Sequence, residues 1–393
     1  MEPKTILVFL NYYLPGTKFG GPIQSVSNIV DWLGEEYKFK IITLDRDFLS
    51  NTSYQSVNIN NWNQVGNAQV YYMSPDNLNI RTFKQLLEST NYDLLYFNSF
   101  FNPYFTLLPL FLTQILPNKK PEKVLLAPRG ELAKGAIEQK KAKKRIFIRI
   151  AKWIGLFKKI NWHATNPIER DDINRELGKK KKGVFISSNL PPRNSQVVKC
   201  TSNKEEGNLR MIYLSRITPK KNIAYLFDVL KPLKKIEIEL DLFGTIDDQQ
   251  YWIDCKKKID QLPSNVQVRH FGHLDHSKVL DKISNYDLFV LPTKSENFGH
   301  AIVESISVGT PVLISDNTPW QNLEEKKVGW DCSLDNPLQF REKIVELASL
   351  DAKKMNKIKQ KVKENYGKVV EEDSVKETKK MFQKVIDIND KKD

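Results

Sequence analysis

Residues 285–320, NYDLFVLPTKSENFGHAIVESISVGTPVLISDNTPW, constrain the fold more than any other stretch. Asp287–Leu291 is a short apolar run closed by Pro292, the pattern of a strand buried in a parallel sheet. Thr293–Gly299 is polar and ends in glycine, so it reads as a loop. Ala301–Val308 has helix-forming residues, with Ile302 and Ile306 on one face, and stops at Gly309. Pro311–Ile314 is the next strand. Glu296 therefore sits on a loop at the carboxyl edge of a parallel sheet, and Glu304 two turns along the following helix. Open α/β sheets bind their ligands at that edge.

Two glutamates at this spacing are common on helices, and alone they say little. The full string is more specific: Ser295, Glu296, Phe298, Gly299, Glu304, Gly309, Pro311 and Val312 fit S-E-x-F-G-x-x-x-x-E-S-x-x-x-G-x-P-V. It resembles the donor-site signature of the retaining GT-B glycosyltransferases of family four, the group one transferases. The resemblance implies an α/β protein with two Rossmann-like domains facing across a cleft and a C-terminal helix crossing back to the first. It implies a donor site of Ser295, Glu296, Asn297, Phe298, Gly299 and Glu304. In it Glu304 holds the ribose hydroxyls and Glu296 faces the donor sugar near the reacting carbon.

The loop after the strand Arg210–Leu214 reads SRITPKKN. Arg216 and Lys221 are two cations at the start of a helix, suited to neutralising a leaving diphosphate. The family pattern has this arginine and a lysine five residues on; Asn222 departs from its usual glycine. Gly20 and Gly21 precede Pro22, which opens a helix striped by Ile23, Val26, Ile29 and Val30. Such a pair most often only makes a turn, but backbone amides there can meet a phosphate, and the family places a glycine-rich loop here against the donor. The loop APRGELAKGA puts Arg129 and Gly130 where many members carry an acceptor-side histidine. A permanent cation there can bind an anion but cannot act as a base; bridging neighbouring loops is its other role.

The chain has 393 residues, enough for two or three cores. Apolar runs at Thr5–Leu10, Phe39–Leu44, Val70–Tyr72, Leu94–Phe97 and Val124–Ala127 alternate with helical stretches, the rhythm of a doubly wound sheet. We expect an acceptor domain over 1–190, a linker over 191–208, a nucleotide-sugar domain over 209–372 and a returning helix over 373–393. Cys200, Cys255 and Cys332 make neither a disulfide framework nor a zinc motif, which favours a reducing compartment. His270, His273 and His276 repeat every three residues but cross from strand to loop, so we expect turn and surface histidines and no metal site. No cofactor is expected. The start of the chain reads as a first strand and not a signal peptide, and no apolar run is long enough to span a bilayer.

The net charge of +14 implies an anionic partner. Lys140–Lys159 holds nine basic residues and no acidic one. At helical period Ile146, Ile150, Trp153, Ile154 and Phe157 share a face, broadly opposite Lys141, Lys144, Lys152 and Lys159. That face either packs on the sheet or lies on an anionic membrane; we expect a mixed case, a packed helix whose basic rim over Lys140–Lys159 faces anionic headgroups. No nucleic-acid-reading motif accompanies the charge, so no nucleic acid is expected. With the resemblance, the partners expected are a nucleotide-diphosphate sugar and a lipid-linked or oligosaccharide acceptor. The setting expected is cytoplasmic, peripheral on the inner membrane face, in building capsule, O-antigen or exopolysaccharide. The alternatives are a sugar-nucleotide epimerase or phosphorylase on the same fold, or a basic nucleic-acid-binding protein.

Overall fold

A computed structural model describes residues 2–116, 123–138, 141–178, 183–193, 202–369 and 373–389. The chain divides into two compact units, 1–193 with 372–393, and 194–371. Cys200 and residues 194–201 of the expected linker lie outside the described residues.

The first unit runs β1 (Lys4–Phe9), α1 (Gly21–Leu33), β2 (Tyr37–Leu44), β3 (Trp62–Val65), β4 (Ala68–Met73), α2 (Ile80–Ser89), β5 (Leu94–Phe97), α3 (Leu108–Ile115) and β6 (Val124–Leu126). It continues through α4 (Lys134–Glu138), α5 (Lys141–Trp153), β7 (Asn161–Ala164), α6 (Pro167–Leu177) and β8 (Val184–Ile186). Among the described residues its sheet is ordered β3-β4-β2-β1-β5-β6-β7-β8. All pairs are parallel except β3–β4, a hairpin closed by Gly66-Asn67. Ile6, Leu7, Val8 and Phe9 are fully buried because helices cover both faces of the sheet.

The second unit runs β9 (Asn208–Leu214), α7 (Ile223–Leu230), β10 (Glu237–Phe243), α8 (Gln249–Ile259), β11 (Val266–His270), α9 (Val279–Ser284) and β12 (Leu288–Leu291). Then come α10 (His300–Ser307), β13 (Val312–Ser315), β14 (Gly329–Cys332), α11 (Pro337–Ala348) and α12 (Ala352–Glu364). Its six-stranded sheet is ordered β11-β10-β9-β12-β13-β14, with every pair parallel. The chain winds outward from β9 to β11, then returns to lay β12 on the other side of β9, with Leu288 opposite Met211. At such a reversal the loops leaving the two central strands part to opposite faces and open a crevice.

The last helix, α13 (Asp373–Ile386), belongs to the first unit. It buries Met381, Phe382, Val385 and Ile386 in the same core as Tyr37 and Tyr96. Its Thr378 hydroxyl meets that of Ser187 at 2.8 Å, and Lys379 pairs with Glu36 at 2.5 Å.

The basic segment corrects the sequence reading. Lys140 lies outside the described residues, and the helix ends at Trp153 before a turn at Gly155, φ +75°. Phe157 therefore leaves the expected face and is buried. The residues of α5 that pack inward are Ile148 and Ala151. Ile146, Ile150 and Ile154 are exposed, and Trp153 is 87% exposed. Lys144 turns inward, donating to the Ala136 carbonyl at 2.7 Å with its ammonium over the Phe101 ring.

Candidate functional site

The loops after β9 and β12 meet at the reversal point of the second sheet. They are stitched by backbone: the Lys294 N–H donates to the Lys220 carbonyl at 2.9 Å, and the Thr293 hydroxyl donates to the same oxygen at 3.2 Å. Asn222 starts α7 at φ +59°. This left-handed position explains the departure from glycine, since asparagine is among the few other residues that adopt it at low cost. Lys221, one residue earlier, directs its ammonium to the Glu296 carboxylate, and both side chains are 13% exposed.

Glu296 is held at three points. Its N–H donates to the Asn317 carbonyl at 3.1 Å, its Oε1 accepts from the Asn297 N–H at 3.0 Å, and its Oε2 takes Lys221. Burial pushes its pKa up, but Lys221, helped by Lys220, outweighs burial and holds it below the usual carboxylate range. Gly299 follows at φ +81°; a Cβ there would come within 2.7 Å of Ile302 Cδ1 and 3.1 Å of Glu296 Cγ. Glycine thus lets α10 begin directly against the carboxylate. Phe298 is fixed by Trp320, whose indole N–H donates to its carbonyl and whose ring packs on its own at 5.1 Å. The Ser295 carbonyl accepts from the Thr293 hydroxyl at 2.9 Å.

Two cations flank this pair. Arg216 donates Nη1 to Asp247 at 2.7 Å and is 45% exposed. The sequence did not single out Asp247, which hangs from the loop after β10 and is oriented by the Thr245 hydroxyl at 2.8 Å. Lys220 was missed as well: burial first, then the neighbouring Lys221, lowers its pKa. Glu304 lies on α10 with its carboxylate 5% exposed, and His276 Nε2 reaches its Oε1 at 3.0 Å. The edge thus carries two carboxylates, each met by a basic side chain from a neighbouring segment, and cations that can be drawn toward a doubly charged ligand.

The profile of the family described as "Glycosyl transferases group 1" matches residues 198–365, within the second unit. The second unit is thus similar to the glycosyl transferases group 1. A glycogen synthase of Mycobacterium tuberculosis is 29% identical over 112 residues, 28% of this chain and 26% of that protein. An uncharacterised 41.2 kDa protein in the cps region of Klebsiella pneumoniae is 22% identical over 236 residues, 58% of this chain and 62% of that protein. The chain thus spans about a quarter of the first of these relatives and less than two thirds of the second. HepE of Anabaena, solved in complex with UDP-glucose, superposes with a TM-score of 0.65 at 14% identity, covering 97% of this chain and 99% of that one. The fold is GT-B, with Rossmann-like sheets in both units.

The remaining group 1 positions lie in the first unit. Gly20, at φ +76°, precedes α1, which starts at Gly21; the Gly20 carbonyl accepts from Ile23 N–H at 3.1 Å. Arg129 and Gly130 both take positive φ after β6. Arg129 acts as a bridge: Nε and Nη2 donate to Asn98 Oδ1 at 3.1 and 2.7 Å, Nη1 to Asn189 at 2.6 Å and Nη2 to the Tyr96 hydroxyl at 2.8 Å. Gly130 donates its N–H to Glu169 at 2.6 Å. Behind them His163 is fully buried, and burial, then Arg129, lowers its pKa to about 3. The ring is neutral, so Nε2 carries the proton given to the Ser187 carbonyl and Nδ1 accepts from Tyr96 at 2.7 Å.

The histidine triplet divides among three partners. His270 meets the Gly244 carbonyl at 2.9 Å, His273 faces Asp275 at 3.8 Å and His276 meets Glu304. Among the described residues no cluster could hold a metal ion. His276 lies in a turn with 41% of its side chain exposed, and its ring also partners a buried site carboxylate, which the sequence did not reveal.

Proposed function

We propose that this chain transfers a sugar from a nucleotide-diphosphate sugar to a saccharide or lipid-linked acceptor, with retention of anomeric configuration. One observation carries the reading: the Lys221–Glu296 pair stands at the reversal point of the second sheet, with Glu304 about one turn into the adjoining helix. In this reading the ribose diol takes Glu304 and the diphosphate lies toward Lys221 and Arg216. Bond cleavage at the anomeric carbon builds charge on the diphosphate. Lys221 then shifts from Glu296 toward that charge, which leaves Glu296 free to accept hydroxyls of the sugar. Fixed cations acting where charge develops lower the barrier and substitute for a metal ion. Ser295, Asn297, Phe298 and Gly299 shape the donor pocket. The binding of UDP-glucose by HepE supports the donor class. The relative from a cps region supports a role in surface polysaccharide.

We further propose that the acceptor is met at an anionic membrane surface on the cytoplasmic side. Trp153, 87% exposed, stands with Ile146 and Ile150 on a helix whose exposed charges are all basic, and exposed Ile154 follows it. No helix among the described residues is long and apolar enough to cross a membrane. Attachment would come from the basic rim, on the order of 1 kcal/mol per lysine near the surface, and from the inserted indole.

The test is a panel of UDP-, GDP- and ADP-sugars scored by protection against thermal unfolding. A ligand at a hundred times its dissociation constant adds about 2.7 kcal/mol of stability. Transfer of label to an acceptor separates a transferase from an epimerase or phosphorylase. Absence of protection by every member of the panel refutes the donor reading.

A further inference from the structure

Glu304 is nearly closed off from solvent, with 5% of its side chain exposed, whereas its partner His276 is 41% exposed. The imidazole is thus the more solvent-facing member of the pair and occupies Oε1, one of the two oxygens a ribose diol needs. A carboxylate this buried is costly to leave unpaired, and the ring is its partner while the site is empty. His276 belongs to a short 3-10 turn, residues His276–Lys278, that follows Gly272 at φ +74°.

We propose that His276 is a displaceable cover on Glu304, holding the carboxylate in the empty protein and swinging off it when the ribose of a nucleotide sugar binds. The inference rests on the reading of Glu304 as the ribose carboxylate. It makes donor binding proton-linked. Burial lowers the pKa of His276, but Glu304 outweighs this and raises it above the ordinary 6.5. Elements around the pair bring other charges. On α12 the Lys359 ammonium donates to the Ser284 carbonyl at 2.9 Å. Lys282 of α9 lies over the Phe243 and Phe271 rings, with Asp281 beside it in sequence. Tyr366, after α12, is raised to about 12 by burial and then by Glu304, so it stays neutral. On the loop of His276 itself, Asp275 faces His273, and Lys278 follows two residues on. Glu304 is the charge that acts on His276.

Once displaced, the ring loses its partner and its pKa falls toward 6.5. Between that value and the raised one, binding releases part of a proton, and affinity rises with pH. Below both values the ring is protonated in both states and above both it is neutral in both, so the linkage vanishes. The gain is at most about tenfold for each unit by which the ring was raised.

The experiment is titration calorimetry of the full chain with UDP-glucose and GDP-mannose, whose diphosphate bridges carry no group titrating near neutrality. It is run from about pH 6 to 8, the range where histidine titrates, in buffers of different ionisation enthalpy. The expected result is fractional proton release and affinity that climbs with pH. His276→Ala, and His276→Gln as the variant that keeps more of the packing, should release no proton. Both should bind at the low end of the range at least as tightly as wild type binds at the high end. Wild-type binding without proton release overturns the proposal, as does weaker binding by both variants at every pH, which makes the imidazole a support for Glu304. If neither nucleotide sugar binds, the donor reading itself falls, and this inference with it.

Discussion

Replacing Lys221 with alanine removes one half of a pair whose two side chains are both 13% exposed. Breaking one side of a buried ion pair costs about 3–5 kcal/mol, because the remaining charge is left in a poor solvent. Against a total stability of roughly 5–15 kcal/mol this is a large fraction. It corresponds to a fall in melting temperature of roughly 6–20 °C for a unit of this size. The loss also depends on pH in a definite direction. In the wild type Glu296 sits below its ordinary 4.5, so it contributes stability that is present above that value and lost as the pH falls through the lower one. Without Lys221, burial dominates and the carboxyl rises above its ordinary range. The penalty then grows as pH climbs from about 4.5, the unfolded value, and is smallest in acid. Urea melts of wild type, Lys221→Ala, Glu296→Gln and the double variant at acidic and neutral pH measure this. The account expects a coupling of at least about 2 kcal/mol at neutral pH that shrinks in acid. An additive cycle with equal losses at both pH values would refute the reasoning. Turnover should also fall by roughly 30- to 1,000-fold, the equivalent of about 2–4 kcal/mol in the barrier.

Arg216→Ala should shift stability by no more than about 1 kcal/mol, since its pair with Asp247 is exposed, yet lower turnover more than donor affinity. Steady-state kinetics with a rise in KM at constant kcat would instead mark plain ground-state binding. Exhaustive chelation should leave activity intact, because Lys221 and Arg216 supply the charge on the diphosphate; loss restored by magnesium or manganese contradicts this. The protein should pellet with anionic but not neutral vesicles at low salt and come off as salt rises. Trp153→Ala with Lys143→Gln should abolish pelleting while donor hydrolysis survives. These replace exposed residues only, whereas Lys144 is engaged with Ala136 and Phe101. A wild type that ignores anionic vesicles sinks the membrane reading.

Much of the second unit is legible along the chain because its signals are local. The apolar run at 288–291, the polar loop and the stop at Gly309 place β12 and α10 within a residue or two. They put Glu296 and Glu304 where the sheet edge needs them. What was not legible is mostly set by topology. His276 is 28 residues from Glu304 in sequence, and only the return of the chain to β12 brings them together. Asp247 likewise reaches Arg216 from a different loop, 31 residues away. The edge hairpin β3–β4 escaped because Trp62–Val65 is short and half polar, although Gly66-Asn67 is a recognisable turn. In α5 the helical period revealed two faces but not which of them packs. Ile148 and Ala151 fill the core, and the larger stripe is left outside.

The central claim is that the reversal point of the second sheet breaks a nucleotide-sugar bond through Glu296 and Lys221. Its most direct test is an NMR time course of each nucleotide sugar with wild type, Glu296→Gln and Lys221→Ala in the presence of candidate acceptors. The account predicts that wild type consumes at least one donor and forms product with the donor's anomeric configuration, and that both variants are slower by roughly 30-fold or more. Equal consumption by wild type and the two variants, or product of inverted configuration, would contradict it.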